Sequence, residues 1–417
     1  MSRPRTVRDL RTGNRSRALW QIFLDGPLTR QEIGAQAGLS PASVSNLVTA
    51  LETERVVAEV GLEQSNGGRP RGLVQVNPEY GYVIGVDVGE STFLVELFDF
   101  ALQPRARHRS VTDMSTLDPD DAVAHIVAGI EAVIAAASVA DDEILGVGVA
   151  VPGVVEQRDH AVVYGQSVGW DAVPLESMLR RRTSLPILVD NGARALGQAE
   201  KWFGAARGAE NAVIVLLGLG VGMCIICNGE VYRGATGSAG EWGHTAVVAG
   251  GRTCRCGAAG CLEAYVGAGS VVEQYDQISR RRAVSRRANL EEQVTAIIAA
   301  RASDSRAAQV LDEAVTYLGA GLAGLVNVFN PERVVVGGWL GRAFGQHLLP
   351  EIRAAAERQA LRMPFRHVEI VPAQLGMDAV ALGGATLPIA KVLDSGAVEA
   401  RQPAARRGLA RMALPHG

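Results

Sequence analysis

Apolar positions early in the chain recur at helical spacing and predict three short helices. Residues 14–23 place Leu19, Ile22 and Phe23 on one face before Pro27. Thr29 stands at a cap position, and Glu32 completes a capping box for a helix over 30–37 that buries Ile33 and stops at Gly38. Ser40-Pro41 supplies a cap followed by a proline at the first helical position. The helix it opens, 41–54, turns Val44, Leu47, Val48 and Leu51 inward and leaves Ala42, Ser43, Ser45, Asn46 and Thr49 outward. The period then changes. Two β-prone runs, 56–60 and 73–76, flank a tip at 65–72 rich in glycine and arginine. That order predicts a winged helix-turn-helix over 14–77.

Beyond Asn77-Pro78 the pattern alternates between strands and helices. Two strands fall within 82–100, a strongly periodic helix at 120–137, and further strands at 144–151, 187–190, 212–217, 221–227 and 334–336. Such alternation predicts an α/β architecture. A helix at 308–330 carries Gly319, Gly321 and Gly324, which predicts close packing of another helix or subunit. Cys224 and Cys227 stand three apart on a strand and so point to opposite faces; they read as core thiols, not a redox pair. Residues 393–417 lack an apolar pattern and predict a frayed tail.

Charge adds a clue that the overall balance hides. The 417 residues carry a net charge of −3 and are 47% hydrophobic, enough for two or three domains with sizeable cores. No secretory leader opens the chain and no apolar run is long enough for a bilayer, so a cytoplasmic protein with no membrane partner is expected. Residues 1–20, however, hold six arginines against one aspartate. A basic arm, 1–13, ahead of a small helical domain is an electrostatic footprint for nucleic acid. Ser43, Ser45, Asn46 and Thr49 are then suited to base edges in a major groove, with Arg30 and Gln31 on the preceding helix assigned to the same interface. Gly68-Arg69-Pro70-Arg71 resembles the core of an AT-hook, which directs Arg69 and Arg71 to the backbone or a narrow minor groove.

The chemistry concentrates later in the chain. His244, Cys254, Cys256 and Cys261 follow one another at H-x9-C-x-C-x4-C, with Gly251, Gly257 and Gly260 between them. Thiolates plus an imidazole are a structural Zn2+ set, and glycine supplies the left-handed backbone a tight knuckle needs. A disulfide leaves the histidine and the third cysteine unexplained. Four protein ligands close the coordination sphere, so one Zn2+ per chain is expected as architecture and not as a catalyst.

At these residues the sequence also resembles a known family. Gly237-Ser-Ala-Gly-Glu241-Trp-Gly-His244 and Cys254-x-Cys256-Gly-x2-Gly-Cys261-Leu-Glu263 are similar to the ROK family of repressors, open reading frames and sugar kinases, over about 80–385. The resemblance implies a two-lobed, actin-like (ribonuclease-H-like) ATPase-type domain, 80–392, that binds sugar and forms oligomers. It also implies that His244 binds zinc through one ring nitrogen and faces sugar with the other, and that Glu241, Glu263 and Asn191 are sugar-binding.

Against the kinases of that family the chain departs at three places. Their catalytic aspartate follows an asparagine, but Gly192 follows Asn191 here, and glycine cannot be a base. Asp190 lies two positions earlier and should point elsewhere. The first phosphate loop, Asp-x-Gly-Gly-Thr in the kinases, is Asp87-Val-Gly89-Glu90-Ser91, and the second, Gly-Thr-Gly, is Gly218-Leu219-Gly220. Gln166-Ser-Val-Gly169-Trp170 also lacks the asparagine that often precedes Gly-Trp. The expectation is a transcription regulator without kinase activity, a homodimer or higher oligomer on a palindromic operator, repressing carbohydrate genes under control of a sugar. The alternatives are a ligand-independent zinc-stabilised DNA-binding protein and an ATP-dependent sugar kinase.

Overall fold

The computed structural model of the protein describes residues 7–63, 70–112, 117–279 and 290–397. Helices α1 (Val7–Asp25), α2 (Arg30–Ala37) and α3 (Pro41–Thr53) close on Leu19, Ile22, Ile33, Val44, Val48 and Leu51, each at most 1% exposed. Leu47 is only partly covered. The predicted boundaries hold because the caps are real. Thr29 Oγ1 accepts from Glu32 N at 3.2 Å while the Glu32 carboxylate accepts from Thr29 N at 2.8 Å. Gly38 takes φ +67° after α2, and Ser40 caps α3 ahead of Pro41. One boundary moves: α1 starts at Val7, so the second half of the expected arm is already helix. Between Val7 and Asn14 the strongest helix breaker is Gly13, too little to stop a helix.

Strand β1 (Leu28–Thr29) joins the hairpin of β2 (Val57–Glu63) and β3 (Arg71–Val76) in the order β1-β3-β2, which makes the wing. Residues 65–69 of the predicted tip, Arg69 among them, lie outside the described residues.

The rest of the chain builds two sheets of one design. In the first, β4 (Tyr82–Val88) runs antiparallel to β5 (Thr92–Asp99), which pairs with β6 (Pro104–Val111). On its other side β4 runs parallel to β7 (Ile144–Val151), and β7 to β11 (Ile187–Asn191). Between them, β8 (Val154–Gln157), β9 (Ala161–Gly165) and β10 (Trp170–Val173) form a small sheet. The second large sheet repeats the pattern. There β12 (Ala212–Leu217) is antiparallel to β13 (Val221–Cys227) and β13 to β14 (Glu230–Val231), while β12 is parallel to β15 (Arg333–Gly337) and β15 to β16 (Glu369–Pro372). This is the two-lobed α/β fold expected.

Helices α4 (Pro119–Ala137) and α5 (Leu175–Arg180) cover the first lobe. The second packs against α7 (Glu263–Val266), α8 (Ala268–Ile278), α9 (Leu290–Ala300), α10 (Ser305–Phe329), α11 (Gly338–His347), α12 (Leu349–Gln359) and α13 (Arg362–Phe365). Gly319 and Gly321 of α10 lie against Ala355 and Trp242, as close packing requires, but Gly324 faces open space. Between the lobes run α6 (Gly192–Phe203), on β12 and β13, and α14 (Ala379–Asp394), on β4 and β7. They meet at backbone distance, since a Cβ on Gly383 would sit 1.9 Å from Ala195 O; α14 approaches β7 as closely, with a Cβ on Gly148 the same distance from Gly384 O.

Both interlobe helices end under the DNA-binding module. Trp20 and Phe23 of α1 stack edge-on against Trp202 at centroid distances of 5.1 and 5.8 Å, and Trp20 Nε1 donates to Asp394 Oδ1 at 2.9 Å. The winged helix therefore shares one hydrophobic core with the larger domain, including Phe100, Ile389 and Leu393. The first residues of the stretch expected to fray from 393 are packed instead, with Leu393 fully buried and Ala397 5% exposed. Residues 398–417 lie outside the described residues.

Candidate functional site

The predicted ligands come together. One ligand atom each from His244, Cys254, Cys256 and Cys261 lies within 4.8 Å of all the others. Cys254 Sγ is 3.7 Å from His244 Nδ1, and Cys256 Sγ is 3.8 Å from Cys261 Sγ. A tetrahedron with metal–sulfur bonds of about 2.3 Å has edges of about 3.8 Å, so the donor set fits a cation of that kind. Glycine makes the knuckle possible. Gly257 and Gly260 sit at φ +89° and +88°, and a Cβ on Gly260 would lie 1.7 Å from Val248 O. Burial, with Glu263 and Cys256 close by, pushes the Cys254 thiol up to about 12. Buried thiols resist ionising unless a cation compensates them.

The knuckle leads straight into α7 and thereby fixes Glu263. Its Oε2 accepts from Val221 N at 3.0 Å, and Oε1 lies 3.6 Å from Cys254 Sγ. Glu241, at the entry to the turn that carries His244, accepts from His244 N through its backbone carbonyl at 3.1 Å, and its carboxylate makes no hydrogen bond among the described residues. Burial raises its pKa, against the opposing pull of His244 and Arg194. Three acceptors of distinct character thus border one space: an anchored carboxylate, a free one and an imidazole.

Asn191 is committed elsewhere. It caps α6, with Oδ1 accepting from Ala193 N and Arg194 N at 2.9 and 3.1 Å, and its amide donates to Gly153 O at 2.8 Å. One amide hydrogen is left for a ligand. Asp190 stays in register on β11, opposite Ala150, with no slip toward the position of Gly192. Its two oxygens are held by Arg194 Nε and Arg233 Nη1, each at 2.6 Å. Neither arginine was singled out from the sequence; the four-residue spacing of Asp190 and Arg194 was the available signal. The two hairpin loops of the lobes, at 89–91 and 218–220, meet beside Glu263, and Asp87 stands just before the first. Loss of solvation, reinforced by Asp378, pushes the Asp87 carboxyl up to about 7. Of the two other cysteines, Cys224 is buried and its thiol is pushed up to about 12 by that burial, but Cys227 is exposed and is not a core thiol.

On the winged helix, Ser43, Ser45, Asn46 and Thr49 line the exposed face of α3 as expected. Ser43 Oγ is shared with the cap, 2.9 Å from Ser40 Oγ. Gln31 and Arg71 are exposed. Arg30 is already engaged with Glu52 and Glu59 at 2.9 and 3.1 Å, which ties α2 to α3 and the wing. From the basic run, Arg15 binds Glu54 and the Gly396 carbonyl, so it fastens the module to the larger domain.

A winged helix-turn-helix fused to a two-lobed, sugar-kinase-like domain, with a knuckle of one histidine and three cysteines, defines a class of DNA-binding proteins. Residues 83–391 match the model of the ROK family, and the chain belongs to that family, in its branch of transcriptional regulators. It is 30% identical over 372 residues to the xylose repressor of Caldicellulosiruptor bescii, covering 88% of this chain and 92% of that protein. It is also 35% identical to a glucokinase of Halalkalibacterium halodurans, over 253 residues that cover 59% of this chain and 76% of the kinase. Among solved structures, a ROK family transcriptional regulator described as a homolog of the E. coli MLC protein superposes with a TM-score of 0.74 at 25% identity, covering 93% of this chain and 97% of the other. Likeness to the regulators takes in nearly the whole chain, DNA-binding module included. No helix among the described residues is long and apolar enough to cross a membrane.

Proposed function

We propose that the protein is a sugar-responsive transcriptional repressor whose kinase-like domain senses and does not phosphorylate. The observation that carries this reading is the docking of α1 on the ends of α6 and α14. These are the helices that pass between the lobes, and α6 starts at Asn191, beside the candidate cleft. A ligand that changes the angle between the lobes must move one helix against the other, and Trp202 and Asp394 pass that movement to α1. To regulate, the ligand has to bind the DNA-competent and incompetent arrangements with different affinity.

The residues support sugar better than nucleotide. Glu241, Glu263 and His244 offer acceptors for vicinal hydroxyls, with Asn191 contributing at most one donor. Gly192 supplies no base, and the carboxylate two positions earlier, Asp190, is paired with two arginines. Zn2+ held by His244, Cys254, Cys256 and Cys261 would anchor Glu263 and orient the His244 ring; its chemistry here is structural. Ser43, Ser45, Asn46 and Thr49, helped by Gln31, Arg69 and Arg71, would contact operator DNA. Arg30, held by Glu52 and Glu59, supports the module from within. Two subunits on a palindrome give half-sites spaced by whole helical turns.

The test is fluorescence anisotropy of the full chain on DNA from upstream of its own gene, at fixed salt, with pentoses, hexoses, amino sugars and their phosphates added in turn. A shift in operator affinity with one sugar is expected, and it disappears in Glu241→Ala and Glu263→Ala while DNA binding remains. Tight operator binding indifferent to every sugar would favour the ligand-independent reading, and phosphate transfer from ATP to a sugar would overturn the proposal.

A further inference from the structure

The two hairpin loops, 89–91 and 218–220, are topological equivalents: each follows the first strand of its lobe. The resemblance noted above matches both to phosphate loops of the kinases. Here a side chain from the cysteine knuckle lies between them. Arg255, between Cys254 and Cys256, reaches out of the second lobe and binds Glu90 of the first with both guanidinium nitrogens, Nη2 to Oε1 at 3.2 Å and Nη1 to Oε2. The same Nη2 lies 3.3 Å from Glu263 Oε1. The second loop closes the group from below: a Cβ on Gly220 would lie 3.1 Å from Glu90 Oε1, 3.4 Å from Glu263 Oε2 and 3.5 Å from Arg255 Nη2. The side chains of Glu90, Glu263 and Arg255 are 15%, 6% and 31% exposed, so water screens the group only in part.

We propose that Arg255 is a positioning residue that latches the lobes through Glu90 and shares its charge with Glu263, replacing a bound nucleotide as the tie across the cleft. The Glu90 carboxylate stands where a phosphate would approach the backbone, and Arg255 supplies the compensating charge. The latch also faces the candidate sugar acceptor. A hydroxyl donating to Glu263 Oε1 shares that oxygen with Arg255 and so acts directly on the charge that the latch holds. Effector binding is thereby coupled to the interlobe tie, and no nucleotide is needed for the response. This last link rests on the sugar-sensing reading; the latch itself does not.

The experiment is hydrogen–deuterium exchange on the full chain, comparing wild type with Glu90→Gln, Arg255→Met and the double variant. The reporters are the amides of Gly89, Gly218 and Val221, which bond to Thr92 O, Gly220 O and Glu263 Oε2. Hydrogen bonds to a charged group are strong enough that losing the tie should speed exchange about tenfold. Each single variant should do so in both loops, and the double should add nothing further, with zinc content unchanged as the control for an intact knuckle. Exchange that rises only in the loop bearing the substitution, or in neither, overturns the latch. Glu90→Gln lies outside the knuckle, so it decides the matter even if Arg255→Met disturbs folding. No sugar or DNA enters this measurement. A protein with coupled loops and no sugar response would keep the latch and lose the sensor, whereas uncoupled loops would sink the latch whatever sugar does.

Discussion

Replacing Phe23 with alanine tests whether the DNA-binding module and the larger domain are one folding unit. The ring of Phe23 lies 5.8 Å from Trp202, 6.1 Å from Phe100 and 6.4 Å from Phe203, all residues of the larger domain. Truncating a fully buried phenylalanine costs about 3–5 kcal/mol. Phe23 is only partly buried, but each aromatic pair adds about 0.5–1.5 kcal/mol, so about 2–3 kcal/mol is a fair figure for the docking it loses. In a module of this size each kcal/mol moves the midpoint by about 4–8 °C, which gives a drop of about 10–20 °C. Scanning calorimetry of wild type should show the module melting together with the domain that carries α6 and α14. In Phe23→Ala an early, separate transition should appear while the main one barely moves. A wild-type module that already melts on its own, or a substitution costing under about 1 kcal/mol with a single transition retained, would refute a shared core.

Three further outcomes follow from the same structure. Cys256→Ser should lower metal content from about one Zn2+ per chain and destabilise the second lobe, and a variant that keeps its ion on mass spectrometry rules out this ligand set. Asp87 should make stability depend on pH, because its folded-state carboxyl, at about 7, lies above its ordinary 3.8 and folding favours the protonated form. Its contribution is complete below about pH 4 and is lost as pH rises to about 7, at most a few kcal/mol, so Asp87→Asn should raise the midpoint by several degrees at pH 8 and hardly at pH 4; equal shifts at both would contradict it. Asn46→Ala on the exposed face of α3 should cost about 1–3 kcal/mol on the operator and much less on unrelated DNA, read by anisotropy, and equal losses on both would make it a backbone contact.

What could be read from the sequence was whatever depends on near neighbours. Caps at Thr29 and Ser40 act within one helical turn, and the four candidate metal ligands lie within a single knuckle, so spacing alone was enough to bring out the caps and the clustering of those four side chains. The larger fold came through family likeness, since alternating strands and helices do not say that two sheets repeat one strand order. Neither boundary that moved could have been found from periodicity alone. At Val7 no strong breaker stands against the helix, and the buried place of Ala397 depends on α1, which lies at the other end of the chain. Charges behaved the same way. Asp190, Arg30, Arg15 and Glu90 look free in a list of residues, yet each is paired with a partner contributed from another segment. An arginine count therefore overstates what α1 and α2 can offer to DNA, and a carboxylate count likewise overlooks that Asp190 is paired with Arg194 and Arg233. Such long-range pairs tie the two lobes through Glu90 and Arg255, and contacts of the same reach seat α1 on the two helices that run between the lobes.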